Sequence, residues 1–121
     1  MDYQRKRLQI IRSGLVNENF ELADTYDELS VCFKNLLEYD SAIYYNLEGL
    51  KIKLQLFGKQ SIHVANSYNA LGIIHHELGN FDLSILNQKN ALKINLALLD
   101  KNHQQLMINY NNLSLGYSAK G

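Results

Sequence analysis

The sequence predicts an all-α fold, an α-solenoid of antiparallel helix hairpins stacked side by side, on three observations. The first is an internal period of forty-two residues. Tyr26 falls on Tyr68 and Tyr110, Leu29 on Leu71 and Leu113, Asp40 on Asp82, and Leu50-Lys51-Ile52 on Leu92-Lys93-Ile94. Between residues 22–60 and 64–102, twelve of thirty-nine ungapped positions are identical. A constant period of this size marks an array of repeated supersecondary units. The second is that apolar residues recur at threes and fours, the spacing of one helix face. The third is punctuation: none of the 121 residues is proline, which breaks helix interiors, and Gly79-Asn80 interrupts the central stretch with a strong helix-stop and turn signal.

In order along the chain, residues 2–15 read as a helix with Leu8, Ile11 and Leu15 on one face. In the repeat frame Leu8 lies under Leu50 and Leu92, so this is the second helix of a hairpin whose first half is absent. A polar break is expected at residues 16–19, with Asn19, like Ser61 one period later, as an N-cap whose side chain accepts an early backbone N–H. Residues 20–36 form the next predicted helix, with the stripe Leu22, Tyr26, Leu29, Phe33 and Leu36. A break at Leu37-Glu38 follows from its alignment with Gly79-Asn80. Residues 39–57 carry Ile43, Leu47, Leu50, Leu54 and Phe57 on one face, and Gly58 ends them. Asp40 and Asp82 lie in first turns, where negative charge suits the helix dipole. Helices over 61–78, 81–99 and 103–119 complete the set, the last with Leu106, Tyr110, Leu113 and Tyr117.

The predicted organisation is therefore one array: residues 1–16 as the second helix of a partial repeat, 19–58 and 61–100 as full repeats, and 103–121 as the first helix of another. Each hairpin has too little core to stand alone, so neighbours must stack. Small residues share frame positions where close packing is expected: Ser30, Gly72 and Ser114; Gly49 and Ala91; Ala42 and Ser84. Glycine inside a helix costs about 1 kcal/mol against alanine, so Gly72 is expected to meet the backbone of a partner helix.

Composition bounds the function classes. Twelve basic and twelve acidic residues cancel, and Gln4-Arg5-Lys6-Arg7 is the one basic cluster, so no nucleic-acid-binding stripe is expected. No apolar run approaches the roughly 20 residues of a membrane span, so no membrane insertion is expected. Cys32 is the single cysteine, so no intrachain disulfide can form, which fits a reducing, cytoplasmic setting.

The run Ala65-Asn66-Ser67-Tyr68-Asn69-Ala70-Leu71-Gly72, then Leu78-Gly79-Asn80-Phe81, then Ala91-Leu92-Lys93-Ile94, resembles the tetratricopeptide repeat, and the spacing is similar to its kinesin-light-chain-like subtype. Departures are Leu37 in place of the turn glycine, Asn46 and Gln88 in place of an aromatic or alanine, and His75 where Phe33 and Tyr117 keep an aromatic. The resemblance implies a right-handed superhelix whose first helices line the concave face, and a module that binds a protein or peptide partner there. The concave columns are then Asp24, Asn66 and Ile108; Asp27, Asn69 and Asn111; Val31, Ile73 and Leu115; and Lys34, His76 and Ser118. An asparagine row offers each repeat a donor and an acceptor for the backbone of an extended peptide, and such a ladder is a feature of kinesin-light-chain-like repeats.

No catalytic constellation is legible, so no enzyme, cofactor or metal is expected. His75-His76-Glu77 cannot form the zinc-protease pattern, because adjacent helical residues point about 100° apart. His75 reads as a core aromatic substitute and Cys32 as an inert small residue beside Phe33. His63 and His103 lie at helix starts. A competing expectation is self-association: the last helix (Tyr110, Leu113, Tyr117) packs head-to-tail on the first helix (Leu8, Ile11, Leu15) of another copy, giving a homo-oligomeric ring or filament. The chain also reads as a fragment, with further repeats covering both ends.

Overall fold

The computed structural model describes the backbone of residues 2–121 and the side chains of residues 18–121. Five helices follow one another: α1 (Asp2–Asn35), α2 (Tyr39–Phe57), α3 (Ile62–Leu78), α4 (Phe81–Leu98) and α5 (Gln104–Lys120). Each packs against the next, and α3 also touches α5. The links are too short for anything but antiparallel neighbours, so α1–α2 and α3–α4 are hairpins and α5 stacks on the second of them.

The expected break at residues 16–19 is absent, and α1 runs through it as one helix. The equivalent residue one period later shows why. Gly58 leaves α2 with φ 76°, a conformation that a β-branched residue such as the equivalent Val16 cannot share without strain. Asn19 is accordingly mid-helix rather than a cap, whereas Ser61 does cap α3, its Oγ accepting from His63 N at 3.1 Å. His103, in the same frame position, caps α5 through Nδ1, which accepts from Gln105 N at 3.1 Å.

The two hairpin turns are the same motif built from different residues. At Gly79, φ 90°, the Gly79 N–H donates to His76 O and the Asn80 N–H to His75 O. At Leu37, φ 64°, the Leu37 N–H donates to Lys34 O and the Glu38 N–H to Phe33 O. Both are left-handed helix stops in which carbonyls orphaned at the helix end are satisfied. The backbone geometry is thus set by the repeat, and Leu37 is held in it although its Cβ disfavours it. Leu37 is also 70% exposed, so it gains little from packing. Leu37→Gly is therefore expected to stabilise the fold by about 0.5–1 kcal/mol, the left-handed strain removed less the added freedom of the unfolded chain. Urea melts check the sign.

The hydrophobic core runs through α2, α3 and α4, where Leu50, Val64, Ala65, Ala91 and Ile94 pack together with Leu54 and Tyr68 against them. Several residues placed on apolar stripes by spacing lie outside it. Leu22, Leu36, Leu47 and Phe57 are exposed. Leu47 aligns with Lys89, which is exposed too, so that frame position faces solvent in both repeats. Cys32 is exposed as well, not packed beside Phe33, whose ring instead stacks on Tyr45.

Much of what joins one hairpin to the next is polar. Between the two hairpins, Lys53 of α2, only 4% exposed and paired with Asp27 inside its own hairpin, donates through Nζ to Ser67 Oγ of α3 at 2.9 Å, and Asn46 Nδ2 donates to Ser67 O at 3.3 Å. Between α4 and α5 the same frame positions carry neutral amides. Asn95 Nδ2 donates to Asn109 Oδ1 at 2.8 Å and Asn109 Nδ2 to Gln88 Oε1 at 3.3 Å, while within the α3–α4 hairpin Gln88 Nε2 donates to Asn69 O at 3.0 Å. Asn46 and Gln88, the departures in the sequence, are thus buried amides that tie helices together. Gly72 is explained by the second of them. A Cβ there would sit 2.7 Å from Gln88 Nε2, so the close approach is to a side chain and not to the expected partner backbone.

Candidate functional site

The first helices of the hairpins present the candidate groove, and one part of it is a formed pocket. Ile73, His76 and Glu77 of α3, Gln88 of α4, and Asn112 and Leu115 of α5 enclose about 230 Å³, with Gly72 and Ser84 completing the lining. The frame explains the assembly. Helix α5 stacks on α4 one period beyond α3, which brings Leu115 to the far side of the opening from its frame mate Ile73. The His76 ring is fixed edge-on to Phe81 at 5.3 Å between centroids, which orients it from the α3–α4 turn. The pocket therefore has two aliphatic walls, amide and hydroxyl groups, an imidazole, and one carboxylate in its lining.

The remaining predicted groove residues are distributed as follows. Asp24, Val31, Asn66, Ile108, Asn111 and Leu115 are exposed, while Asp27, Lys34, Asn69, Ile73 and His76 are half-buried, and Ser118 is exposed. Asp27 is engaged by Lys53. Asn69 is engaged twice within the chain: its backbone oxygen accepts from Gln88, and its side-chain Oδ1 accepts from Asn112 Nδ2 at 3.0 Å. Ile108 and Asn111 line a separate, shallow depression on α5 with Met107 and Tyr110. The column of Asp27, Asn69 and Asn111 thus contains a salt-bridged acid, an amide whose oxygen already accepts from Asn112, and an exposed amide.

Asn112, Glu77, Ser84 and Gln88 belong to the pocket and were not among the predicted groove residues. Asn112 aligns with Ala70 and Glu28, so no periodic signal could have found it. Gln88 was visible only as a departure from the repeat.

His75, one residue from the pocket lining, is half-buried, and its Nδ1 is buried without a partner. Burial lowers its pKa below the usual 6.5. The unfolded chain then takes up a proton at this side chain at higher pH than the folded chain does. The stability it contributes is complete above 6.5 and is lost as pH falls through the folded pKa. His75→Phe, which copies Phe33 in the frame, is expected to shrink the drop in melting temperature between pH 7.5 and 5. Melts at both pH values check it, and an unchanged drop would assign the acid sensitivity elsewhere.

Of the end-face residues, Leu8, Ile11 and Leu15 lie outside the described side chains. Leu113 is buried within this chain, whereas Tyr110 and Tyr117 are exposed, Tyr117 with Lys89 Nζ 5.6 Å from its ring centroid. Among the described residues no helix is long and apolar enough to cross a membrane, and no group of three or more His, Cys, Asp or Glu side chains is placed to hold a metal ion.

No family model matches the sequence. No curated protein matches it. Among solved structures, the chain is similar to BtubC (BKLC) from P. vanneervenii, with 30% sequence identity and a TM-score of 0.77 over 82% of this chain. It spans 40% of the length of that protein. That neighbour is a kinesin-light-chain-like tetratricopeptide-repeat protein, and the five helices here follow its repeat architecture. With the period, the paired turns and this likeness together, the five helices have the tetratricopeptide-repeat architecture of the kinesin-light-chain-like kind.

Proposed function

We propose that this chain is a non-catalytic interaction module that holds an extended segment of a protein partner on its concave face. The observation that carries the reading is the pocket between α3 and α5, large enough for a side chain and lined by both aliphatic and amide groups. Aliphatic walls favour burying an apolar side chain of the partner, and amides beside it can hold the partner's backbone. Because Asn69 and Asn112 are bonded to each other, the backbone contacts fall to the exposed amides of Asn66 and Asn111.

The test is selection from a displayed library of random twelve-residue peptides, followed by titration of the enriched peptides against the parent, Leu115→Lys and Asn111→Ala. Leu115 is exposed, so its replacement spares the core. Enriched peptides should lose about tenfold in affinity with Leu115→Lys, which removes apolar contact and adds a charge to the groove. Peptides that bind both variants as they bind the parent would place the site elsewhere.

One observation favours self-association as a second reading. Met107 occupies the frame position of Ala23 and Ala65, both fully buried, yet is 68% exposed; Tyr110 is exposed where Tyr68 packs on the core. This face of α5 corresponds to the face of α3 that α4 covers, and a second copy could cover it. Static light scattering of the parent and Met107→Glu separates the readings. Mass that grows with concentration and collapses in the variant supports assembly, and a monomer throughout excludes it.

A further inference from the structure

The α1–α2 and α3–α4 turns lie at repeat-equivalent places, and the next first helix packs beside each. At the second turn, residues 79–83 form a shallow depression closed by Lys120 of α5. Lys120 Nζ pairs there with Asp82 Oδ1 at 2.7 Å. One period earlier, Leu37, Glu38, Tyr39, Asp40 and Ser41 form the matching depression, of about 440 Å³, closed by Leu78 of α3. Leu78 is the frame mate of Lys120, and Asp40 the frame mate of Asp82. The first turn thus keeps the acid but has leucine where the second has the cation. It adds a second acid, Glu38, where the second turn has Asn80. Among the described residues Asp40 and Glu38 have no basic partner within salt-bridge distance.

The apolar side of the same depression is equally specific. Leu37 and Leu78 are 70% and 40% exposed, and Leu36, 68% exposed, adjoins Leu37 in sequence. Leu37 replaces the glycine that the left-handed turn favours, so an exposed leucine is kept there against its own backbone preference. The second turn shows, within the same chain, what geometry satisfies such a site: a lysine over the first-turn aspartate of the following helix.

We propose that the α1–α2 turn edge is a second docking surface, separate from the concave groove, which takes a partner segment carrying a lysine or arginine beside a large apolar residue. The cation sits over Asp40 and Glu38 as Lys120 sits over Asp82, and the apolar residue covers Leu37 and Leu78. Opposite charges across such an edge set orientation and specificity, and the exposed leucines supply the apolar burial.

The probe is a fluorescein-labelled nonapeptide pool with a fixed central lysine–leucine pair and mixed flanking residues, with a control pool carrying glutamate for the lysine. Fluorescence anisotropy is read with the parent, Leu78→Lys, Asp40→Asn, Leu37→Gly and, for the concave groove, Leu115→Lys. The lysine pool should bind the parent more tightly than the control does. Leu78→Lys, which rebuilds the Lys120 arrangement in place, should weaken it about tenfold or more through like-charge repulsion and lost apolar contact. Asp40→Asn and Leu37→Gly should weaken it in the same direction, and Leu115→Lys should leave it unchanged. Far-UV circular dichroism confirms folding; if Leu78→Lys does not fold, Asp40→Asn decides. Equal binding of the two pools, or parent-like binding by the folded turn variants, overturns the proposal. So does light scattering that shows Asp40-dependent dimers, because the occupant is then a second copy of the chain. Loss with Leu115→Lys alone returns the peptides to the concave groove and also overturns the turn-edge site.

Discussion

Asp27→Ala is expected to destabilise the chain by about 3 kcal/mol, because removing one member of a buried ion pair leaves the other charge uncompensated. Lys53 is almost wholly buried, and without Asp27 its ammonium keeps only Ser67 Oγ as a hydrogen-bond partner. Asp27 is one-third exposed, which holds the loss toward the lower end of the range for buried pairs. The rescue is written into the next repeat, where the frame mates of Asp27, Lys53 and Ser67 are Asn69, Asn95 and Asn109. The double variant Asp27→Asn/Lys53→Asn is expected to recover most of the loss, since two neutral amides replace a buried charge and its half-buried partner. Chemical denaturation of the single and double variants checks both. A double variant no better than Asp27→Ala would show that the lysine stem, rather than its charge, holds the junction.

Gln88→Leu is expected to cost about 2–3 kcal/mol, the penalty of stranding buried donors and acceptors. Gln88 is 1% exposed and stands in the middle of the amide relay, donating to Asn69 O and accepting from Asn109 Nδ2. Leucine fills much of the same volume, so little of the loss comes from an empty space. Asn109, fully buried, loses the acceptor for its Nδ2, and the relay from Asn95 ends there. A cycle with Asn109→Leu separates this from simple repacking. If the amides act through their hydrogen bond, the double variant is more stable than the sum of the two single losses predicts. Strict additivity would assign the effect to shape alone.

The fold was legible because a period needs only that equivalent residues recur. Tyr26, Tyr68 and Tyr110, with the leucines three residues on, were enough to place the hairpins. The junction chemistry was not legible, for a physical reason. Frame alignment shows which residues are equivalent, but contacts join different positions of the frame. Lys53 reaches Asp27 and Ser67, and Asn95 reaches Asn109, across helices whose relative offset no column of equivalent residues displays. The same blindness affected the groove. Asn69 looked like a free ladder residue because Asn111 and Asp27 align with it, yet Asn112, out of that column, is the residue that bonds to it. The turn at Leu37 was placed by equivalence with Gly79, whereas its left-handed backbone is imposed by hydrogen bonds to the helix end and leaves no trace in a leucine. The break expected at residues 16–19 failed on the opposite ground, since equivalence to a glycine does not give Val16 a glycine's freedom.

The two differently charged junctions bear on how an array of look-alike units assembles in the right order. Hairpins this similar could stack on the wrong neighbour during folding, the characteristic error of repeat proteins. A skipped unit here would set Asn109 of α5 against Lys53 of α2 in place of Ser67, and would leave Gln88 without Asn109. Each junction accepts one neighbour and penalises the other, so the chain carries an address at every joint. Exchanging the addresses, with the apolar stripes untouched, would be a way to make two hairpins trade places.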